Sequence, residues 1–205
     1  MSQVLQSFIG GQWIGQQGAQ ALRSAINGQT VCQTHAEAID FGDAVHYART
    51  VGLPNLLKLD FQERAQRLKA LAKYLGEHKE QLYAISAHTG ATRADSWVDI
   101  EGGAGTLFAY SSMGSNELPS GNLIHEGPAF PLGKKGGFAG THILVPRGGV
   151  AVHINAFNFP VWGLLEKFAP TFLAGMPCIG KPATATMGDY APIIEQVPVS
   201  ELRAR

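Results

Sequence analysis

Neither sign of charge is in surplus. Lys plus Arg and Asp plus Glu each total 16 of the 205 residues, and the isoelectric point lies near 7.1. Proteins that grip nucleic acid or an anionic membrane draw on an excess of Lys and Arg, so neither partner is expected. Cysteine is nearly absent: Cys32 and Cys178 alone cannot build a disulfide framework or a four-thiolate zinc site. The 7 histidines fall into no HExxH or comparable spacing, so no metal site is expected. Residues 1–10 lack the basic stretch and apolar run of a secretory signal. The most apolar stretch, 150–180, is interrupted by His153, Asn155, Asn158, Pro160, Glu166, Lys167 and Pro170, too many polar groups and helix breakers to sit in lipid. No internal repeat or low-complexity tract occurs. These absences leave a soluble protein of a reducing, cytoplasmic compartment as the expectation.

What is present is a large apolar fraction, 45% hydrophobic against 16% charged. That supports a sizeable core, in one domain or a cramped pair. The 25 glycines call for many tight turns or close backbone contacts. Phe8-Ile9-Gly10-Gly11-Gln12-Trp13 reads as two short strands joined by a Gly-Gly turn. Residues 36–50 have helical spacing, with Ala38, Phe41, Val45 and Ala48 three or four apart. Leu68, Leu71, Leu75, Leu82 and Ile85 share one stripe between Asp60, an N-cap, and Gly90, a C-terminal stop. Residues 96–113 read as helix in spite of Gly102, Gly103 and Gly105. A helical glycine costs roughly 1 kcal/mol against alanine, so another element is expected close against these three. Residues 114–135 read as a long surface connection, with strands at 141–145 and 150–154 around Pro146-Arg147-Gly148-Gly149. Pro160 suits the first position of a helix ending near Gly175, and 176–181 has the form of a buried parallel strand. Strand, helix and strand over 150–181 make a βαβ unit, so the fold class expected is α/β with a parallel sheet.

Ligands of open α/β sheets collect at the carboxyl ends of strands, where Ile154-Asn155-Ala156-Phe157-Asn158-Phe159-Pro160 falls. A side-chain amide there donates to a developing oxyanion without any change of charge. The competing reading is that Asn155 and Asn158 cap the following helix. Gly175-Met176-Pro177-Cys178-Ile179-Gly180-Lys181-Pro182 comes within one residue of a phosphate-binding loop, but Pro182 replaces the required hydroxyl residue. Lys181, at a strand end, reads either as a ribose or phosphate ligand or as an ordinary surface lysine. Cys178 and Cys32 read as structural thiols rather than nucleophiles. Glu166 and Lys167 read as a solvated pair, and Arg93 and Asp95 as loop residues.

Together these strings resemble the N-terminal part of an aldehyde dehydrogenase. The resemblance runs from Phe8-Ile9-Gly10-Gly11-Gln12-Trp13, through Glu63-Arg64-Ala65, to Thr186. It is sharpest at Gly149-Val150, Asn158-Phe159-Pro160, Leu173-Ala174-Gly175 and Lys181-Pro182-Ala183. Residues 88–103 and Lys181-Pro182-Ala183-Thr184-Ala185-Thr186 resemble more narrowly the semialdehyde dehydrogenase domain of bacterial phenylacetate ring opening. The resemblance implies an incomplete Rossmann-like parallel sheet of the cofactor domain (1–120 and 148–186) with an oligomerisation β-hairpin (121–147). It also implies a non-family tail (187–205) after a truncation. With two strands of an interrupted sheet left with open edges, a stable solitary fold is not expected.

The implied activity is oxidation of a CoA-linked semialdehyde to the acid in aromatic (phenylacetate) catabolism. In that family a cysteine thiolate attacks the aldehyde, the thiohemiacetal passes hydride to the nicotinamide, and a glutamate base assists hydrolysis of the thioester. By the resemblance Asn158 is the oxyanion-stabilising amide, which displaces the capping reading at that position. Ile154, Asn155, Ala156 and Phe157 match the loop along the cofactor, and Lys181 matches the lysine on the adenosine ribose. Thr184 stands where NAD-preferring members often carry a glutamate. An acid there repels a 2′-phosphate and a threonine bonds it, so NADP is the expected cofactor, with NAD also admitted. The hairpin implies a homo-oligomer. Since neither cysteine matches the family nucleophile, the chain by itself is expected to be inactive. The alternative is a non-catalytic remnant that binds nucleotide weakly or pairs with a partner subunit, and a third reading is the unfolded product of a disrupted gene.

Overall fold

The computed structural model describes residues 3–15, 20–34 and 39–184. The expected tail at 187–205 lies outside the described residues, as do residues 36–38 of the expected first helix. Five short strands open the chain: β1 (Gln3–Val4), β2 (Ser7–Ile9), β3 (Gln12–Ile14), β4 (Gln20–Arg23) and β5 (Thr30–Thr34). β2 and β3 form the expected hairpin. Gly10 and Gly11 both have positive φ, 61° and 81°, the pair of angles that a two-residue turn of matching twist demands. Phe8 and Trp13 face each other across it with ring centroids 5.0 Å apart. β5 runs between β1, to which it is parallel, and β4, to which it is antiparallel.

Helix α1 (Phe41–Tyr47) starts five residues later than its spacing predicts, because the Asp40 side chain accepts from the Asp43 amide and fixes the N-terminus there. It continues through a π-helical turn, Ala48–Gly52, into α2 (Leu53–Leu57). Asp60 and Glu63 form a reciprocal capping box that opens α3 (Phe61–Glu77). The single helix expected as far as Gly90 is broken at His78. There the ring Nδ1 lies 2.9 Å from the Tyr74 carbonyl that the His78 amide also addresses, and α4 (Lys79–Ser86) resumes beyond it. α5 (Arg93–Asn116) begins at a second capping box, Thr92 with Asp95. Arg93 and Asp95 are therefore helical rather than loop residues. Arg93 makes a two-pronged contact with Glu80 at 3.0 and 2.8 Å while lying over the Tyr83 ring.

The core is a helical layer. Ala65, Leu68, Ala72 and Leu75 of α3 meet Ile100, Ala104 and Leu107 of α5, and Val161, Leu165, Ala169 and Leu173 of α6 (Pro160–Leu173). The glycine expectation holds for two of its three positions. A Cβ on Gly102 would lie 3.1 Å from the Trp162 ring, and one on Gly103 3.1 Å from both Leu165 and the Trp162 backbone. Gly105 faces open space, and nothing in the structure explains it. Gly114 is tighter than any of these: a Cβ there would come within 2.7 Å of both Ala65 and Leu173.

The stretch expected to be a surface connection holds the end of α5 and a nine-residue strand, β6 (Ile124–Leu132), paired antiparallel with β7 (Phe138–Leu144). Gly127, Pro128 and Pro131 mask this strand in the sequence. Gly127 has φ near 88° and sits in the irregular part of the register between Glu126 and Phe130. The βαβ unit is present: β8 (Ala151–Ile154) and β9 (Cys178–Lys181) are parallel neighbours joined by α6. The described strands thus fall into four small sheets in an α/β arrangement. No helix among the described residues is long and apolar enough to cross a membrane.

Candidate functional site

The register of β8 on β9 places Ile154 opposite Lys181, and the next amide, that of Asn155, donates to the Lys181 carbonyl at 3.1 Å. The two strands therefore end together, and the loop 155–159 departs from the edge that carries Lys181. Ala156, Phe157 and Asn158 are exposed, and Ile154 is 71% exposed. The Lys181 ammonium is also exposed and bonds the Pro182 carbonyl at 2.9 Å. Thr184 follows at the surface. Ile154 and Lys181 thus share one carboxyl edge, from which the loop 155–159 departs. The Asn155 side chain turns inward, 6% exposed, and its Oδ1 accepts from Lys167 Nζ at 3.2 Å.

Neither asparagine caps α6. Residue Phe159 holds the cap position without a side-chain bond. The first amides of the helix are taken from outside by Asp99 of α5, whose carboxylate accepts from Val161 at 3.1 Å and from Trp162 at 2.7 Å. A carboxylate at that end also meets the positive pole of the helix dipole. Burial, to 4% exposure, holds the Asp99 pKa above the ordinary carboxylate range, and the two amide donors pull it back. With the cap supplied from elsewhere, the Asn158 amide makes no hydrogen bond within the described residues and faces solvent at the strand-to-helix corner.

Asp99 and Lys167 are the residues that the sequence reading missed. The signal for Asp99 was its position three and four residues before Gly102 and Gly103, on the face of α5 that admits α6. Lys167 was read as half of a solvated pair. Its contact with Glu166 is real at 3.5 Å, but the ammonium also donates to the Gly163 carbonyl and to Asn155. One turn further along the same helix, Thr171 shares a hydrogen bond of 3.2 Å with His153 Nε2. Burial first, and the Lys167 charge second, push the His153 pKa down.

Cys178 is half-buried at the start of β9, and burial lifts its thiol to about 11. At neutral pH it is protonated and a poor nucleophile. Cys32 is buried in β5. Among the described residues no group of three His, Cys, Asp or Glu side chains could hold a metal ion.

Comparison with known proteins identifies the family. The sequence pattern of the Aldehyde dehydrogenase family matches residues 13–197, a match that runs on past Thr186. A 3,4-dehydroadipyl-CoA semialdehyde dehydrogenase of Aromatoleum evansii is 40% identical over 184 residues, 89% of this chain and 36% of that protein. An N-succinylglutamate 5-semialdehyde dehydrogenase of Escherichia coli O127:H6 is 29% identical over 182 residues, 87% of this chain and 35% of its own length. The chain thus spans about a third of these relatives. Among solved structures, a lactaldehyde dehydrogenase of Escherichia coli superposes with TM-score 0.80 at 19% identity, covering 95% of this chain and 39% of that one. A betaine aldehyde dehydrogenase of Staphylococcus aureus, in complex with NAD+, superposes with TM-score 0.79 at 17% identity, covering 98% and 39%. The chain belongs to the aldehyde dehydrogenase family, whose members are oxidoreductases that use NAD(P).

Proposed function

We propose that this chain supplies the nucleotide-binding and oxyanion-stabilising part of an NADP-dependent aldehyde dehydrogenase that oxidises a CoA-linked semialdehyde in aromatic catabolism. The observation that carries the reading is the ending of β8 and β9 at one edge, with Ile154 opposite Lys181 and the Asn158 loop leaving from the same point. The CoA-linked substrate rests on the likeness to the Aromatoleum evansii enzyme, whose name states that substrate class.

The residues present fit a dinucleotide. The edge offers an exposed ammonium at Lys181, an exposed hydroxyl at Thr184 and an exposed backbone over 156–158, and no acidic residue stands between 154 and 158 or between 181 and 184 to repel phosphate. Lys181 and Thr184 would hold the ribose and its 2′-phosphate, and the loop from Ile154 to Phe157 would lie along the cofactor. NADP, when bound, supplies the hydride acceptor. Asn158 donates its amide hydrogen to the oxygen that becomes anionic when the aldehyde carbon turns tetrahedral. A donor of that kind is worth on the order of a hundredfold in rate.

The nucleophile is not furnished by the two thiols in hand, one held protonated and one buried. The 205-residue chain by itself therefore turns over no aldehyde while it binds NADPH. The test is a fluorescence titration with NADPH and NADH beside an assay with a CoA-linked semialdehyde. Tighter binding of NADPH is expected, and Thr184→Glu is expected to reverse the preference by about tenfold through repulsion of the 2′-phosphate. Equal binding of both nucleotides before and after that change would remove the NADP assignment. Turnover abolished by Cys178→Ser would remove the claim of inactivity. A second reading, pairing with a partner subunit through the β6–β7 hairpin in a cytoplasmic oligomer, is favoured by the bare apolar side chains there, among them Phe138 at 79% exposure.

A further inference from the structure

Strand β8 is patterned against the usual rule. Its apolar side chains, Val152 and Ile154, are 58% and 71% exposed, while His153 and, just past the strand's end, Asn155 are 7% and 6% exposed and bond side chains of α6. Helix α6 answers with two polar groups one turn apart. Lys167 donates to Asn155 Oδ1 at 3.2 Å, and Thr171 bonds His153 Nε2 at 3.2 Å. The packing of strand on helix is thus pinned by polar rungs, which are directional, where apolar contact would allow sliding. The upper rung falls at the residue where the strand gives way to the loop. It holds the side chain of Asn155 while the Asn155 amide holds the Lys181 carbonyl.

We propose that Lys167 is a positioning residue for the nucleotide edge: by fixing the Asn155 side chain it sets the backbone from which the loop to Asn158 departs and keeps that backbone in register with Lys181. The proposal rests on the functional reading above for what the edge binds, but the latch itself does not. Lys167 is suited to the task because its ammonium is held at three points. Besides Asn155 it reaches the Gly163 carbonyl one turn earlier and the Glu166 carboxylate at 3.5 Å. Asn155 has no other side-chain partner, its Nδ2 being buried without one among the described residues. Removing the lysine would leave both ends of the amide unsatisfied in the interior, which is more damaging than never having buried it.

Hydrogen exchange of single amides, followed by NMR on the whole chain, reads the latch directly. In Lys167→Met the Asn155 amide is expected to exchange about tenfold faster, while those of Val161 and Trp162, held by Asp99, keep their protection. Lys167→Arg retains a donor and is expected to stay near the wild-type rate. Asn155→Ala removes the same bond from its other end, and the double variant is expected to exceed neither single change. NADPH affinity is expected to fall by about the same tenfold factor in Lys167→Met. Unchanged exchange at residue 155, acceleration spread evenly over α6 and β9, or additive effects in the double variant would each overturn the proposal. If Lys167→Met does not fold, Asn155→Ala and Lys167→Arg carry the test. If the wild type fails to bind NADPH, the functional reading falls, and the exchange data still decide on the latch.

Discussion

The β8–α6 corner and the β6–β7 hairpin are neighbours in the chain and opposites in how they are held. The corner is tied to residues distant in sequence: Asp99 reaches the first amides of α6 from α5, and Lys167 pins the end of β8 from within the helix. The hairpin is held mainly by its own ladder, with Phe130 against His142 as its aromatic contact. Its apolar side chains stand in water, Leu132 at 47%, Phe138 at 79% and Leu144 at 50% exposure, and only Ile124 at its root packs against the core. The difference teaches that burial and function need not coincide. The corner rests on polar ties to α5 and α6, though His153 Nδ1 and Asn155 Nδ2 are buried there without partners among the described residues, whereas the hairpin exposes an apolar surface that nothing among the described residues covers.

The largest expected effect comes from a residue that ties the far end of α6 to the root of the hairpin. Arg64 of α3 is fully buried, and its guanidinium donates to the Leu173 carbonyl at 2.8 Å, to the Leu59 carbonyl, and to Asn122 Oδ1 at 2.7 Å beside the root of the hairpin. Burial draws its pKa down, opposed by the charges of Asp60 and Glu63. Arg64→Ala strands these acceptors in the interior at once. It is expected to lower stability by about 3 kcal/mol or more, read from the urea midpoint of the whole chain. A loss under about 1 kcal/mol would show that these buried bonds do not hold the end of α6 and the hairpin root to α3.

Legibility follows the same divide. Local signals carried well: the Gly10-Gly11 turn, the Asp60 cap and the βαβ unit rest on chain neighbours that dictate their own backbone. Gly102 and Gly103 announced a close neighbour because a missing side chain inside a helix needs a reason, and Trp162 and Leu165 are that reason. The carboxyl-edge rule together with the resemblance pointed to Ile154 and Lys181 among others, and the register of the strands sets these two opposite each other at one edge. What stayed hidden were the long-range polar ties. Asp99 lies 62 positions before Val161, and no periodicity links an acid on one helix to the amides of another. Lys167 reads as half of an exposed pair because its other partner, Asn155, sits just past the end of a strand whose inside and outside are reversed. The break at His78 was equally invisible, since it depends on a ring competing for one carbonyl.

The second effect is smaller and tests the corner alone. Asp99→Ala removes the acceptor for two amides at the start of α6 and is expected to cost about 1–2 kcal/mol in the urea midpoint. The pH dependence has a definite sign. Asp99 holds its proton more tightly folded than unfolded, because burial outweighs its two amide bonds. The group therefore favours folding most when protonated, and its contribution falls as pH rises from the ordinary carboxylate value of about 4 through the folded one. Asp99→Asn abolishes that titration. The stability advantage of the wild type over Asp99→Asn is expected to be largest at the acidic end and to shrink as pH increases. A gap that widens with pH would mean that the two amide bonds dominate and that burial does not.

The smallest change in stability is expected where the exposed apolar area is greatest. Phe138 and Val145, at 79% and 59% exposure, gain little from the fold of a single chain, so replacing both with serine should move the urea midpoint by no more than about 0.5 kcal/mol. If the hairpin is an interface, the same replacement acts on association instead, because apolar area withdrawn from water between subunits is worth roughly 25 cal/mol per Å². Sedimentation velocity over a concentration series separates the two effects. The expected outcome is a wild type that associates and a double-serine variant that remains a monomer with an unchanged unfolding curve. A wild type that is monomeric at high concentration would deny the hairpin a partner in this chain. A variant that loses several kcal/mol would show that the hairpin, like the corner, is held from within.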